Sequence, residues 1–236
     1  MAFIVDYRIK AKEYGNLREL GDVILSDQTE AGAAINGHPD LQLHVLDQRI
    51  FVYKGISRRL SAEIQRATDK SVILTNSEIR QPYPHDVHLN AVSTPEYFIH
   101  HTGQTDPLLL AMAKESGRQI IHLKQGYARC TILPVNETAF ITNDRKAAIS
   151  LKRSGAACLY LPPGDIRLTG YEHGFIGGSA AFVKQPEELY LVTLGDMERY
   201  RHYGEIVKFL KGLGIKYTPF PLSPGPLEDM GGILQI

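Results

Sequence analysis

The sequence predicts an α/β fold made of five copies of a strand–strand–helix–strand unit, the last copy divided between the two ends of the chain. Three observations predict it. A short motif, a small or apolar residue followed by an aromatic and two mostly apolar or β-branched positions, occurs as Ala2-Phe3-Ile4-Val5, Ile50-Phe51-Val52-Tyr53, Tyr97-Phe98-Ile99-His100, Ala139-Phe140-Ile141-Thr142 and Leu189-Tyr190-Leu191-Val192. The aromatics recur every 42 to 50 residues or so, and the step from Tyr190 through the C-terminus round to Phe3 falls in the same range. Each motif also has the same neighbours in the same order. Self-similarity at this period means a solenoid, propeller or array, and closure across the termini selects a ring.

The elements follow in chain order. Four of the aromatic strands are preceded by another strand and a tight turn: residues 41–46 with Asp47-Gln48, 89–93 with Thr94-Pro95-Glu96, 130–135 with Asn136-Glu137, and 176–183 with Gln185-Pro186. Asn, Asp and Pro preset or tolerate the dihedrals such turns need. After each aromatic strand comes a helix start. Ser57 caps a helix that puts Leu60 and Ile64 on one face, and Asp106 is followed by Pro107 at the first helical position. Asp144 and Asp196 cap the next two, the last turning Met197, Tyr200, Val207 and Leu210 inward. Gly117, Gly155 and the pair Gly212 and Gly214 mark helix ends. Third strands follow at 72–74, 119–123, 157–161 and 216–220. In the divided unit, 232–236 supplies the first strand, 3–5 the second, 13–20 the helix and 23–25 the third. The expected organisation is one domain, 1–236, with repeats at 37–84, 85–128, 129–170, 171–225, and 226–236 joined to 1–36.

Composition narrows the function. Basic and acidic residues balance at 26 each, with no block of like charge. A nucleic-acid footprint and an anionic membrane surface both need a basic excess, so neither partner is expected. The apolar fraction of 43% suits a packed core, and 22% charged residues argue against disorder. Two cysteines, Cys130 and Cys158, are no disulfide framework. The first ten residues carry only a four-residue apolar run after Met1, so a cytoplasmic protein with neither signal peptide nor membrane span is expected. The sequon Asn136-Glu137-Thr138 then has no meaning. No GxGxxG, GxxxxGK, CxxC, HExxH or GxSxG occurs, and no cofactor is expected.

Five ββαβ units around an axis resemble the pentein, or guanidino-group-modifying, superfamily, which includes arginine deiminases, dimethylarginine hydrolases and amidinotransferases. GYARC, NETAFITND, HGFIGGSA and the ending DMGGILQI resemble a bacterial family of unknown function assigned to that fold. The resemblance spans essentially the whole chain. It implies acidic residues holding a guanidine, a cysteine attacking its central carbon and a histidine serving as acid and base. The chain departs from that pattern at one position. Those enzymes carry the nucleophile near the C-terminus after a glycine pair, where this chain reads Gly231-Gly232-Ile233-Leu234-Gln235-Ile236 without a cysteine.

In a ring of repeats the first strand of each unit lies nearest the axis, so polar residues at its opening converge. The openings are Gly37-His38-Pro39-Asp40, His85-Asp86-Val87-His88-Leu89-Asn90, the segment from Tyr127 to Cys130, Tyr171-Glu172-His173-Gly174, and Glu228-Asp229. Carboxylates bind a planar guanidinium in bidentate fashion better than any other side chain. His38, Asp40, Asp86, Asn90, Glu172 and Asp229 are therefore the expected ligand-binding residues. Cys130, which opens the third unit's first strand, is the only replacement nucleophile, and His173 the expected proton carrier. Thiolate attack would require a depressed thiol pKa. Cys158 lies in an apolar strand and reads as core. The glycines after His173 allow either close approach of a ligand or crowding at the ring centre. His100, His101 and His122 are expected on strand surfaces or ends, and His202 on a helix surface.

The leading functional reading is a hydrolase or transferase acting on a guanidino or amide-bearing small molecule at the axis. A catalytically silent binding protein is the alternative. A metal-dependent hydrolase using His38, His85 and His173 is a weaker one, because strand alternation puts His85 and His88 on opposite faces; no metal ligand is assigned. The oligomeric state is not legible.

Overall fold

The computed structural model describes residues 1–236. Its strands form five three-stranded sheets, each centred on one of the aromatic motifs. The central strands are β1 (Ala2–Val5), β4 (Arg49–Val52), β7 (Tyr97–His100), β10 (Ala139–Thr142) and β13 (Leu189–Thr193). Each pairs antiparallel with a first strand: β15 (Leu234–Gln235), β3 (Leu43–Leu46), β6 (Val92–Ser93), β9 (Ile132–Pro134) and β12 (Ala180–Lys184). Each also pairs in parallel with a third: β2 (Asp22–Leu25), β5 (Ser71–Leu74), β8 (Gln119–His122), β11 (Ala157–Tyr160) and β14 (Thr218–Pro221).

A parallel pair needs a crossover. The crossovers are the helices α1 (Ala11–Leu17), α3 (Arg58–Ala67), α4 (Pro107–Glu115), α6 (Arg145–Arg153) and α8 (Tyr203–Gly212). Their starts are set locally. Ser57 Oγ accepts from Leu60 N at 3.0 Å, Asp106 Oδ1 from Leu108 N at 2.9 Å, and Asp144 Oδ1 from Lys146 N at 2.7 Å. Each satisfies a backbone donor that a helix N-terminus otherwise leaves open.

The core is divided five ways, and the division closes the ring. Ile4 and Ile24 of the divided unit pack with Leu43, Ile50 and Leu60 of the next. Phe51 then packs with Phe98 and Leu109, Ile99 with Phe140 and Leu151, and Ile141 with Ile176, Leu191 and Leu210. Val183 and Val192 return to Phe3 and Leu17. Every cluster therefore joins two neighbouring units. Phe3, Phe51, Phe98 and Phe140 are fully buried. The fifth aromatic, Tyr190, is only half-buried and donates its hydroxyl to Glu188 at 2.6 Å. The first strands do face the axis, since all five contribute to one narrow cavity through Leu43, Val92, Leu133, Ala181 and Leu234.

Several expectations need correction. The first strands of three units do not begin where their apolar runs begin, but after one helical turn: α2 (Pro39–Gln42), α5 (Ala128–Thr131) and α7 (Ile176–Ser179). Cys130 thus lies in a one-turn helix rather than in a strand. The closing strand is two residues long, extended by paired hydrogen bonds between Ala2 and Ile236. Asp196 caps a 3-10 turn, Met197–Arg199, and α8 starts later. The helix expected at 13–20 is Ala11–Leu17. Crowding explains the α7 glycines: a Cβ on Gly177 would overlap Arg129 O, and one on Gly178 would overlap the Asp229 carboxylate. His100 stands at the end of β7, one of the two places expected, but not at the surface. It is fully buried, with ring nitrogens 2.8 Å from Thr105 Oγ1 and from Gly126 O. His202 stands at the N-terminus of α8 against Glu205, and Cys158 is buried as expected. No helix is long and apolar enough to cross a membrane.

Candidate functional site

The one-turn helices place side chains at one end of the axis. Pro39, at the first position of α2, follows His38 and turns Asp40 inward; α5 does the same for Cys130. The Cys130 thiol donates to Asp40 Oδ2 at 3.0 Å and accepts from Asn90 Nδ2 at 3.3 Å. Asn90 is fully buried and links three units. Its Nδ2 also donates to Asp40 O at 3.2 Å, and its Oδ1 accepts from Arg129 N at 2.9 Å.

Asp229 comes from the closing repeat. Its Oδ2 accepts from Phe175 N at 2.9 Å and its Oδ1 from Gly231 N at 3.1 Å. Its Oδ1 lies 4.0 Å from His38 Nδ1. Gly231 has φ +71°, and a Cβ there would collide with His38, so both the backbone and the space demand glycine. His38 is 1% exposed, and neither ring nitrogen has a protein partner.

Above these groups opens a cleft of about 300 Å³. His38, Cys130 and Asp229 form its floor, Tyr127, Leu168, Tyr171 and Phe175 its walls, and Glu172 and His173 reach it from the rim. His173 Nδ1 lies 3.2 Å from Gly174 O, and its ring meets Phe175 edge-on at 5.1 Å. Glu172 is exposed. Asp86 does not line the cleft. It is buried beneath it, and its Oδ2 accepts from Tyr127 OH at 2.8 Å, so it positions a wall. Asp40 stands behind Cys130 and faces the axial cavity instead.

Burial sets the charge states. It raises the Asp40 carboxyl to about 6, against the opposing effect of the Cys130 hydrogen bond, and Asp229 to about 7, with Asp40 adding to the rise. It pushes the Cys130 thiol well up, helped by the charges of Asp40 and Asp229. His38 falls to about 3, through burial and then through Arg8, and is neutral at pH 7. A buried site with two carboxyls and a thiol, all shifted toward their protonated forms, is short of positive charge.

His38, Asp40 and Cys130 are the only three metal-type donors that approach within 4.8 Å of one another. The trio His38, His85 and His173 is not assembled; His85 instead neighbours His88, at 6.5 Å between ring centres. Arg129, inside the opening from Tyr127 to Cys130, is the charged neighbour of the site to which sequence reasoning gave no role. It directly precedes Cys130, and its only legible signal was a charge inside the otherwise apolar opening of a first strand.

The five-sheet ring with polar openings at one end of its axis is the fold of the pentein superfamily. The chain belongs to the family described as "Family of unknown function (DUF6873)", whose profile matches residues 4–234. Among solved structures it is similar to DDAH from Pseudomonas aeruginosa, a cysteine-to-serine mutant complexed with citrulline, at 9% identity and a TM-score of 0.51 over 94% of this chain and 92% of that one. The agmatine deiminase of C. jejuni matches at 9% identity and 0.53 over 94% and 87%. The inosamine-phosphate amidinotransferase of Streptomyces griseus matches at 14% and 0.52 over 93% and 76%. At these identities the likeness shows the fold alone. No curated protein matches the chain in sequence.

Proposed function

We propose that the chain is a hydrolase or transferase acting on a small cation that bears a guanidino or related group, with Cys130 as nucleophile. The observation that carries this reading is the Cys130 thiol at the floor of an aromatic-walled cleft, 3.0 Å from Asp40 Oδ2 and clustered with a His38 ring that has no other partner. Nucleophile, proton acceptor and a free imidazole in mutual reach are the parts such chemistry needs. The substrate cation would lie over Asp229, with Glu172 at the rim contacting its exposed end.

The raised thiol pKa fits a sequence of events. A cation entering beside Asp229 offsets the negative surroundings and so favours the thiolate. Asp40 takes the thiol proton, Sγ bonds to the central carbon, and the departing amine receives a proton through His38. Water, or a second amine in a transferase, then displaces the sulfur. His173, expected as the proton carrier, is assigned instead to the rim, where it shapes entry.

The same pKa supports one rival, a binding protein that never forms the thiolate. Incubation with methylguanidine, agmatine and arginine, followed by intact-mass measurement and amine or urea-type product assay, separates the two. An adduct lost in Cys130→Ser supports catalysis. Thermal stabilisation by a ligand that is recovered unchanged, with no adduct, leaves the binding reading. No stabilisation and no turnover with any guanidino compound ends both.

A further inference from the structure

The opposite end of the axis holds a second cavity, of about 180 Å³, to which all five first strands contribute. Apolar residues, including Leu43, Val45, Leu133 and Ala181, make up just over half of its lining. Two polar side chains enter it with hydrogen-bonding capacity that the protein leaves unused. The Arg129 guanidinium makes one hydrogen bond, from Nη1 to Gly177 O at 2.6 Å. That leaves the Nε–Nη2 edge without a protein acceptor. Asp40, 1% exposed, uses Oδ2 for Cys130, while its Oδ1 is buried with no partner. The two side chains act on each other electrostatically, but no contact ion pair joins them.

The buried Asp40 acceptor is costly unless a donor meets it, while the part-exposed Arg129 edge is open to solvent and so to an incoming ligand. The free edge of a guanidinium is a fork matched to a carboxylate. A buried carboxylate oxygen beside it requires a donor. One compact molecule with both features satisfies the pair, and the apolar part of the lining accommodates a small carbon skeleton.

We infer that this cavity is a second ligand site, for a compact carboxylate that also carries a hydrogen-bond donor, a small hydroxy or amino acid, with its carboxylate on Arg129 and its donor on Asp40 Oδ1. Nothing in it depends on Cys130 chemistry, so it goes beyond the proposed reaction. Asp40 serves both sites, Cys130 through Oδ2 and this one through Oδ1, while α5 sends Arg129 to this cavity and Cys130 to the cleft from adjacent positions.

The test is calorimetric titration of the intact protein with sodium glycolate and with glycine, at constant ionic strength, against sodium acetate and sodium chloride. Saturable binding of glycolate or glycine, at least several-fold tighter than acetate and absent for chloride, is expected. Arg129→Gln should abolish it. Val45→Phe, which narrows the cavity while leaving Arg129 and Asp40 in place, should weaken it tenfold or more and decides the matter if the Arg129 variant does not fold. Heats equal to those of chloride, or binding unchanged by Val45→Phe, overturn the inference. Methylguanidine binding at the cleft is a separate titration, so either site can fail alone.

Discussion

At the scale of single residues, the site is defined by protonation. Cys130 is held as a thiol by burial and by two neighbouring carboxylates. Alkylation by iodoacetamide should therefore be slow at pH 7 and rise only well above the ordinary thiol range. Saturating methylguanidine should shift that rise to lower pH in proportion to the charge it brings; an unmoved profile would count against cation-triggered activation. Asp229 makes a second prediction. Its folded pKa of about 7 lies above its ordinary 3.8, so the folded protein holds that proton more tightly than the unfolded chain. The associated stability is fully present below about pH 3.8 and is lost as pH rises through about 7. His38, pushed down to about 3, works in the opposite direction, losing stability as pH falls below its ordinary 6.5. Comparison with a variant isolates the first effect. Urea denaturation at pH 5 and pH 8 should show Asp229→Asn gaining on the parent protein at the higher pH, by on the order of a few kcal/mol. A difference independent of pH would mean that Asp229 is already ionised in the fold.

Elements explain how ordinary apolar strands come to present chemistry. A first strand alone would alternate its side chains between two faces. The preceding helical turn instead aims one residue inward just before the strand begins, as α2 does with Asp40 and α5 with Cys130. The strand expected at 130–135 begins later, at Ile132, because the four residues Ala128–Thr131 carry too little periodicity to separate one helical turn from extended chain. The central strands were read correctly because each carries a large aromatic, fully buried in every one but β13, where Tyr190 is half-buried. Phe98, fully buried between two units, tests their weight. Phe98→Ala should cost about 3–5 kcal/mol, and chemical denaturation should show one transition at lower midpoint. A loss below about 1 kcal/mol would contradict the packing described, since it would require a core that collapses freely around the void.

At the scale of the whole molecule, the ring has no spare closure. The terminal strand β15 bonds to β1 by only two register pairs and flanking bonds to Ala2, yet it completes the sheet against which Phe3 and Ile233 pack. Deleting residues 234–236 should abolish cooperative unfolding by circular dichroism; a truncated chain with an unchanged melting temperature would refute terminal closure. The two ends of the axis are also coupled through one short helix. An anion on Arg129 would remove a positive influence from Asp40 and Asp229 and make the cleft more attractive to a cation. The expected outcome is a several-fold lower methylguanidine Kd in glycolate than in chloride, and by linkage the converse.

Local sequence determined the five-fold repeat, the order of strand, turn and capped helix within it, and the split of one repeat across the termini, because these depend on periodicity and capping residues that act over a few positions. The openings that meet at the axis were also legible, since His38, Asp40, Cys130 and Asp229 each mark the start of a unit. Only the tertiary structure decided which of them touch. It joined Cys130 to Asp40 with Asn90 bonded to both, set Asp86 behind Tyr127, kept Glu172 and His173 at the rim, and sent Arg129 to the far side. Those outcomes depend on the rotation between units and on contacts such as Gly178 against Asp229, which join residues with no proximity in the chain and leave no periodic trace in it.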